Sequence, residues 1–331
     1  MSLSETLDIQ FENFQIKSPD PKQDHPWHKS HLHADFIELR CLFWSKKDFI
    51  TIQDCITFYK DYDLKIADSE SKNFEDLASS MRSEINDKWV EKFSDVWDVL
   101  IERHLIYGDA YPFTVSENKI RLNETQNPSS KVYIFLLLSS NLNNFPLLKH
   151  FLTSDFEAIS AKVLSNYLPD FKVAEFGINS AYKGNTITKI KSLSSTLELP
   201  IRKSLVLKIS KLANKEKGLD IIAHKKFEDQ IANMIVILIQ CACGKKWESK
   251  KGETGNYESY LDFIRLKPIH SMFIPYGLVR DNEDFEQDID TNGCLMFERK
   301  RIIDFFKTEN ISDYQSFKIV ERCLLHEFIE V

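Results

Sequence analysis

From Ala34 onward, apolar residues return every three to four positions, in ADFIELRCLFW, then ITIQDCITFYKDY, then NFEDLASSMRSEINDKWVEKFSDVWDVLIERHLI. In the last stretch Trp89, Phe93, Val96, Trp97, Leu100 and Ile101 mark one buried helical face. The thirty or so residues before it (SPDPKQDHPWHKS among them) are polar and proline-punctuated, which predicts an irregular arm. A turn-like YGDAYPF follows the long helix, with a short strand expected near Lys119–Leu122. The apolar run VYIFLLLSSNL fits a buried helix or a strand. Residues 1–145 are therefore expected to form a mainly helical domain.

The texture then changes. LLKHFLTSDFEAISAKVLSNYL predicts an amphipathic helix and KVAEFG a strand, followed by a lysine-rich helical insertion at about 183–217. LDIIAHKKF and MIVILIQCA carry enough β-branched residues to be strands. YESYLDFIRL predicts a helix and HSMFIPYGLV a strand, and RKRIIDFFKT and QSFKIVERCLLHEFIE predict two closing helices. Helix, strand, adjacent strands, helix and strand is an α/β order. The expectation is an α+β chain overall, with a second domain over residues 146–331.

Composition narrows the function classes. With 43% hydrophobic residues there is material for a proper core. The chain has no uninterrupted apolar stretch of about 18 residues, and its first residues lack a basic-then-apolar layout. Of the six cysteines only Cys241 and Cys243 are close, at a spacing unlike a zinc knuckle. These features predict a reduced, cytoplasmic protein. The net charge of −7 argues against coating nucleic acid by charge alone. The segment from Lys183 to Lys226 is nonetheless rich in Lys and Arg against only Glu198, Glu216 and Asp220. A local basic surface on an acidic protein suits a polyanion held at one place.

Phosphodiester hydrolysis needs an activated water and stabilisation of charge on phosphorus and the leaving oxygen, which carboxylates holding Mg²⁺ can supply with a nearby lysine. Mg²⁺ keeps several of its waters, so two or three side-chain oxygens suffice. Asp220 opens one apolar run, Gln240 ends the next, and Lys245 follows in the turn behind Gly244. If the two runs pair, Asp220 and Gln240 stand at one end of a sheet. Such polar groups at the end of an apolar strand need a reason, since leaving them buried and unpaired costs about 1–3 kcal/mol.

Gly218-Leu219-Asp220 followed by Gln240-Cys241-Ala242-Cys243-Gly244-Lys245-Lys246-Trp247 resembles the active-site strands of PD-(D/E)xK nucleases. It is most similar to a restriction-like and phage-defence subgroup with a G-L-D strand and a Q-C-A-x-G-K-x-W strand. The resemblance covers roughly residues 145–305, with Glu298-Arg299-Lys300-Arg301 a weaker shared feature. It implies a restriction-endonuclease-like core, a mixed central sheet flanked by helices. It further implies a metal site of Glu157, Asp220 and Gln240 holding Mg²⁺ or Mn²⁺, with Lys245 as the catalytic lysine. Glu175 competes with Glu157 for the helix-side acid. Two departures stand out: Gln240 replaces the second acid, and Lys245 lies beyond the usual lysine place, which Ala242 fills. The nucleic-acid-binding candidates are Lys183, Lys189, Lys191, Lys211, Lys215, Lys217, His224, Lys246 and Trp247. The implied substrate is DNA, in a restriction or anti-phage system. The implied partner is an ATPase or helicase docked on the helical domain.

Other patterns carry less. His25, His28, His31, His33 and Asp35 crowd the amino-terminal arm, ahead of any well-defined element and without a cysteine to join them, and Asp288, Asp290, Asn292 and Gly293 imitate a calcium loop whose twelfth position is Arg299. No phosphate-binding G-x-x-x-x-G-K-[ST] loop or G-x-S-x-G elbow occurs. Two rival readings are a nuclease fold that has lost chemistry and serves as a nucleic-acid-binding scaffold, and an unrelated interaction protein working through its acidic helices.

Overall fold

The computed structural model describes residues 2–12, 14–17, 29–43, 49–59, 79–177, 180, 182–206, 209, 218–229, 234–263, 266–278, 280, 285 and 293–325. In chain order the helices are α1 (Leu3–Glu12), α2 (Ser30–Leu42), α3 (52–59), α4 (Ser79–Tyr107), α5 (Pro128–Ser140), α6 (Lys149–Tyr167), α7 (Thr186–Leu197), α8 (Lys203–Val206), α9 (Asn256–Tyr260), α10 (Arg299–Phe305) and α11 (Ser316–Leu324). The strands are β1 (Ile50–Thr51), β2 (Phe113–Ser116), β3 (Lys119–Leu122), β4 (Lys172–Glu175), β5 (Ile221–Lys225), β6 (Ile235–Cys241), β7 (Ile269–Phe273) and β8 (Leu295–Phe297). The fold is α+β, as expected.

The chain divides into two compact units. The first comprises Met1–Leu147, Leu278–Asp284 and Phe317–Val331, and the second Leu148–Gly277 and Phe285–Ser316. The main break lies within a few residues of the expected one at 145. The last helix, however, belongs with the first unit.

In the first unit the helical periodicity forms the 29-residue α4, whose Trp89, Phe93, Val96, Trp97 and Leu100 are buried. The ambiguous apolar run is a helix: Asn127 caps α5 by accepting from Ser130 N, with a proline at its first turn. Three corrections concern this unit. The start of the chain is not an arm but α1, because Phe11 and Phe14 find Phe43 and Phe145 to pack against. A hairpin forms where one strand was expected, with β2 antiparallel to β3 and β1 on the other side of β3. His31, His33 and Asp35 lie inside α2, buried. Asp35 and its neighbour Glu38 meet Arg103 of α4 at 2.8 and 2.9 Å, and Tyr111 and Tyr133 donate to Glu38. His25 and His28 lie outside the described residues.

The second unit is built on a five-stranded mixed sheet in the order β4-β5-β6-β7-β8. β4, β5 and β6 are antiparallel, and β6, β7 and β8 are parallel. β8 was not expected, since three residues give almost no periodic signal. Alternation along the strands assigns the two faces. Ile222, Val236 and Leu238 join a core with Ile190, Leu193 and Leu197 of α7, Val206 of α8 and Tyr257 of α9. The buried Ile237 and Ile239 take the other face, where α6 packs across β4, β5 and β6. Asp288, Asp290 and Asn292 of the calcium-loop imitation lie outside the described residues.

Candidate active site

β5 and β6 do pair, Ile221 opposite Ile239, so Asp220 and Gln240 stand at the same end of the sheet. Their side chains then part. Leu219 and Ile222 both enter the core under α7 and α9, so alternation breaks between them. The break sits where the N–H groups of Phe176 and Gly177 both donate to Asp220 O, at 2.6 and 3.0 Å. Asp220 consequently turns toward α6, and its Oδ2 accepts from Cys241 N at 2.8 Å.

Glu157 reaches the same place from α6. Gly177 marks the meeting point: a Cβ built there would stand 2.5 Å from Glu157 Oε2 and 3.6 Å from Asp220 Oδ1. The missing side chain at Gly177 leaves the room that Glu157 Oε2 takes up beside Asp220. Cys241 belongs to this face too, bonded to Ser160 of α6. Its thiol is pushed far up, first by burial and then by the negative charge of Asp220 and Glu157. Cys243 is pushed up likewise, by burial and then Glu157, with Lys250 and Lys149 opposing. Burial and the neighbouring carboxylates thus favour the neutral form of both thiols.

Gln240 is one residue from Cys241 and faces the other way. It shares the parity of Val236 and Leu238, and its Nε2 donates to Glu253 Oε2 at 2.7 Å. The expected trio is therefore not assembled: Glu157 and Asp220 converge, and Gln240 lies across the sheet from them. Lys245 is half-buried in the turn just beyond β6. Glu175, at the end of β4, is part of the acidic surroundings of Tyr314, whose hydroxyl is raised by burial, then Asp155, Asp313 and Glu175.

The expected nucleic-acid contacts divide in the same way. Lys183, Lys191 and Lys246 are exposed. Lys189 is buried, and its Nζ donates to the carbonyls of Phe176 and Gly177 at 3.1 and 3.2 Å. It is a strut beneath the carboxylates rather than a phosphate contact. Trp247 is 1% exposed, with Lys251 Nζ 5.0 Å over its ring, so it packs and does not stack on bases. His224 is buried on β5, its pKa lowered by desolvation and then by Lys226 and Lys172. Lys211, Lys215 and Lys217 lie outside the described residues. Of the other basic residues, Arg202, Lys225 and Lys226 pair with Asp262, Asp170 and Glu198.

Sequence reading missed Gly177, Lys189 as a strut, and Glu253. The available signal was Gly177 itself, a glycine directly after a strand in a chain with only nine. Comparison with family models, with curated proteins and with solved structures finds no match.

Among the described residues, no group of three or more His, Cys, Asp or Glu side chains is gathered to hold a metal ion. What remains is the pair Glu157 and Asp220 beside Gly177, oxygen donors of the kind a hard cation takes when the rest of its shell is water.

Proposed function

We propose that the chain is a Mg²⁺- or Mn²⁺-dependent nuclease that hydrolyses phosphodiester bonds of DNA. One observation carries the reading: Glu157 from a helix and Asp220 from a strand start both come up to Gly177, where a Cβ would stand 2.5 Å from Glu157 Oε2. A divalent ion held there would polarise the phosphoryl group and lower the pKa of a bound water. Glu157 and Asp220 would hold it, and the N–H of Cys241 fixes the Asp220 carboxylate in place. Lys189 keeps the Phe176–Gly177 backbone beneath them. Lys245, in the turn beside β6, would set a positive charge against the developing charge on phosphorus. Exposed Lys183, Lys191 and Lys246 would hold the nucleic-acid backbone. Following the sequence resemblance, the setting is restriction or phage defence, with an ATPase or helicase as partner.

The test incubates wild type, Glu157→Gln and Asp220→Asn with supercoiled plasmid, linear duplex and single-stranded RNA, with Mg²⁺, Mn²⁺ or EDTA. Metal-dependent nicking by wild type, reduced at least ~100-fold in both variants, is expected, since each removes a ligand of the charge-stabilising centre. Undiminished cleavage in both variants would falsify the assignment. A second reading is a nuclease fold that binds nucleic acid without cutting it. It is favoured by the engagement of Gln240 with Glu253, which leaves two carboxylates only. It predicts salt-dependent DNA binding that EDTA does not change, and no cleavage.

A further inference from the structure

Asp220 is held by the two chain neighbours of Gln240. Its N–H donates to Ile239 O at 2.9 Å, and its Oδ2 accepts from Cys241 N at 2.8 Å. Gln240 stands between them, so a shift of β6 at Gln240 moves both bonds. Its own side chain turns to the other face of the sheet, where Nε2 donates to Glu253 Oε2 at 2.7 Å. The direction of that bond is fixed, because an ionised carboxylate only accepts.

Glu253 also meets the start of β5. It occupies the place a side chain of Gly218 would take: a Cβ there would stand 2.3 Å from Glu253 Cβ and 2.8 Å from its Oε2. Gly218, at φ +85, leads through Leu219 into Asp220. The oxygen that receives Gln240 thus lies against the turn that delivers the acid. Glu253 is anchored in its turn. Asn256 Nδ2 donates to its carbonyl at 2.8 Å, and the next residue, Thr254, has Oγ1 2.8 Å from His270 Nδ1 on β7.

We infer that Gln240 is a positioning residue, which fixes Asp220 by tying the end of β6 to Glu253. This role replaces the one that the sequence resemblance implies, in which Gln240 itself offers an oxygen to the ion. Groups that hold a metal ligand in place without touching the ion typically matter by ~10–100-fold in affinity or activity. The effect on metal binding rests on the proposed nuclease reading, whereas the effect on the backbone around Asp220 does not.

Four variants of the full chain test it. Glu253→Ala removes the acceptor, and Gln240→Glu sets two like charges at the bond. Glu253→Gln keeps an acceptor oxygen for Gln240, and Gln240→Glu/Glu253→Gln restores the bond with donor and acceptor exchanged. Amide hydrogen exchange of the metal-free protein is followed by mass spectrometry in peptides covering 219–222 and 239–242, and Mn²⁺ binding by titration calorimetry. Glu253→Ala and Gln240→Glu should each speed exchange in both peptides at least ~3-fold. Each should also weaken Mn²⁺ binding by ~10–100-fold. Glu253→Gln and the exchanged pair should return both readouts to about the wild-type values, which a strand merely destabilised by substitution would not do. Far-ultraviolet circular dichroism reports whether each variant is folded, and Glu253→Ala against Glu253→Gln decides if Gln240→Glu is not. Tighter Mn²⁺ binding by Gln240→Glu would make Gln240 a ligand and overturn the inference. Unchanged exchange in Glu253→Ala, or unchanged Mn²⁺ affinity in that variant where wild type binds the ion, overturns it as well. Wild type that binds no Mn²⁺ overturns the nuclease reading instead, and hydrogen exchange then decides the inference by itself.

Discussion

Gly177 and Gly218 are both glycines beside the acids, and they fail differently when given a side chain. At Gly177 a Cβ meets the far end of the Glu157 side chain, which can swing away without moving backbone. Gly177→Ala should therefore fold with a melting temperature within a few degrees of wild type yet lose most metal-dependent cleavage. A variant that cleaves normally would show that the two carboxylates need not converge. Gly218 has φ +85 and abuts Glu253, including its backbone carbon. Gly218→Ala meets both an unfavourable backbone conformation and an overlap, and should cost at least ~1–3 kcal/mol in denaturant unfolding. Lys189 is the third residue of this kind. Lys189→Met keeps the buried stem and removes the two bonds to Phe176 and Gly177. A loss of about 1–3 kcal/mol is expected from the carbonyls left short of a donor. Nucleic-acid affinity should be unchanged, and a fall in the salt slope of binding would instead return Lys189 to the phosphate contacts.

Elements were legible where their own residues dictate them. The α4 face, β3 and the β5–β6 pair follow from periods of three to four or of two, which the sequence displays directly. Elements held by distant partners were not. α1 exists because Phe11 and Phe14 meet Phe43 and Phe145, and the hairpin strand β2 is secured by Trp97 Nε1 donating to Ser116 O at 2.8 Å. The candidate site divides along the same line. Asp220 and Gln240 share an end of the sheet, as pairing requires, but strict alternation would have put their side chains together. The irregular pairing of Asp220 O with two successive N–H groups turns one of them over, and nothing in the order of residues announces it. The lysine-rich segment shows the limit of charge counting. Arg202, Lys225 and Lys226 spend their charge on local acids, and Lys189 is buried.

At the scale of the molecule, two electrostatic arrangements set its tolerance to substitution and to pH. Arg103 lies fully buried between Asp35 and Glu38 in the first unit. Arg103→Met strands two buried carboxylates and should cost about 3–5 kcal/mol in chemical unfolding, whereas an exposed lysine such as Lys191 changed to Met should cost less than ~0.5 kcal/mol. The cysteines act together at high pH. Burial raises Cys55 to about 12 and Cys294 to about 11, holds Cys41, Cys243 and Cys323 higher, and lifts Cys241 well above the ordinary thiol value. Above the ordinary thiol pKa the unfolded chain loses protons that the folded chain keeps. Stability is therefore complete below about pH 8 and falls as pH rises through 9 and 10. Melting temperatures recorded from pH 7 to pH 10 should decline over the upper part of that range, and replacing Cys55 and Cys323 with alanine should flatten the decline even as it lowers the starting value.

The five-stranded sheet is long only in its middle. β6, with seven residues, is paired on both sides, while the outer strands β4 and β8 have four and three. An outer strand that short offers another chain few backbone groups to copy, and β4 opens with the exposed charge of Lys172. Two molecules meeting edge to edge thus gain little by zipping together, and the sheet that carries the acids is guarded against growth into fibrils.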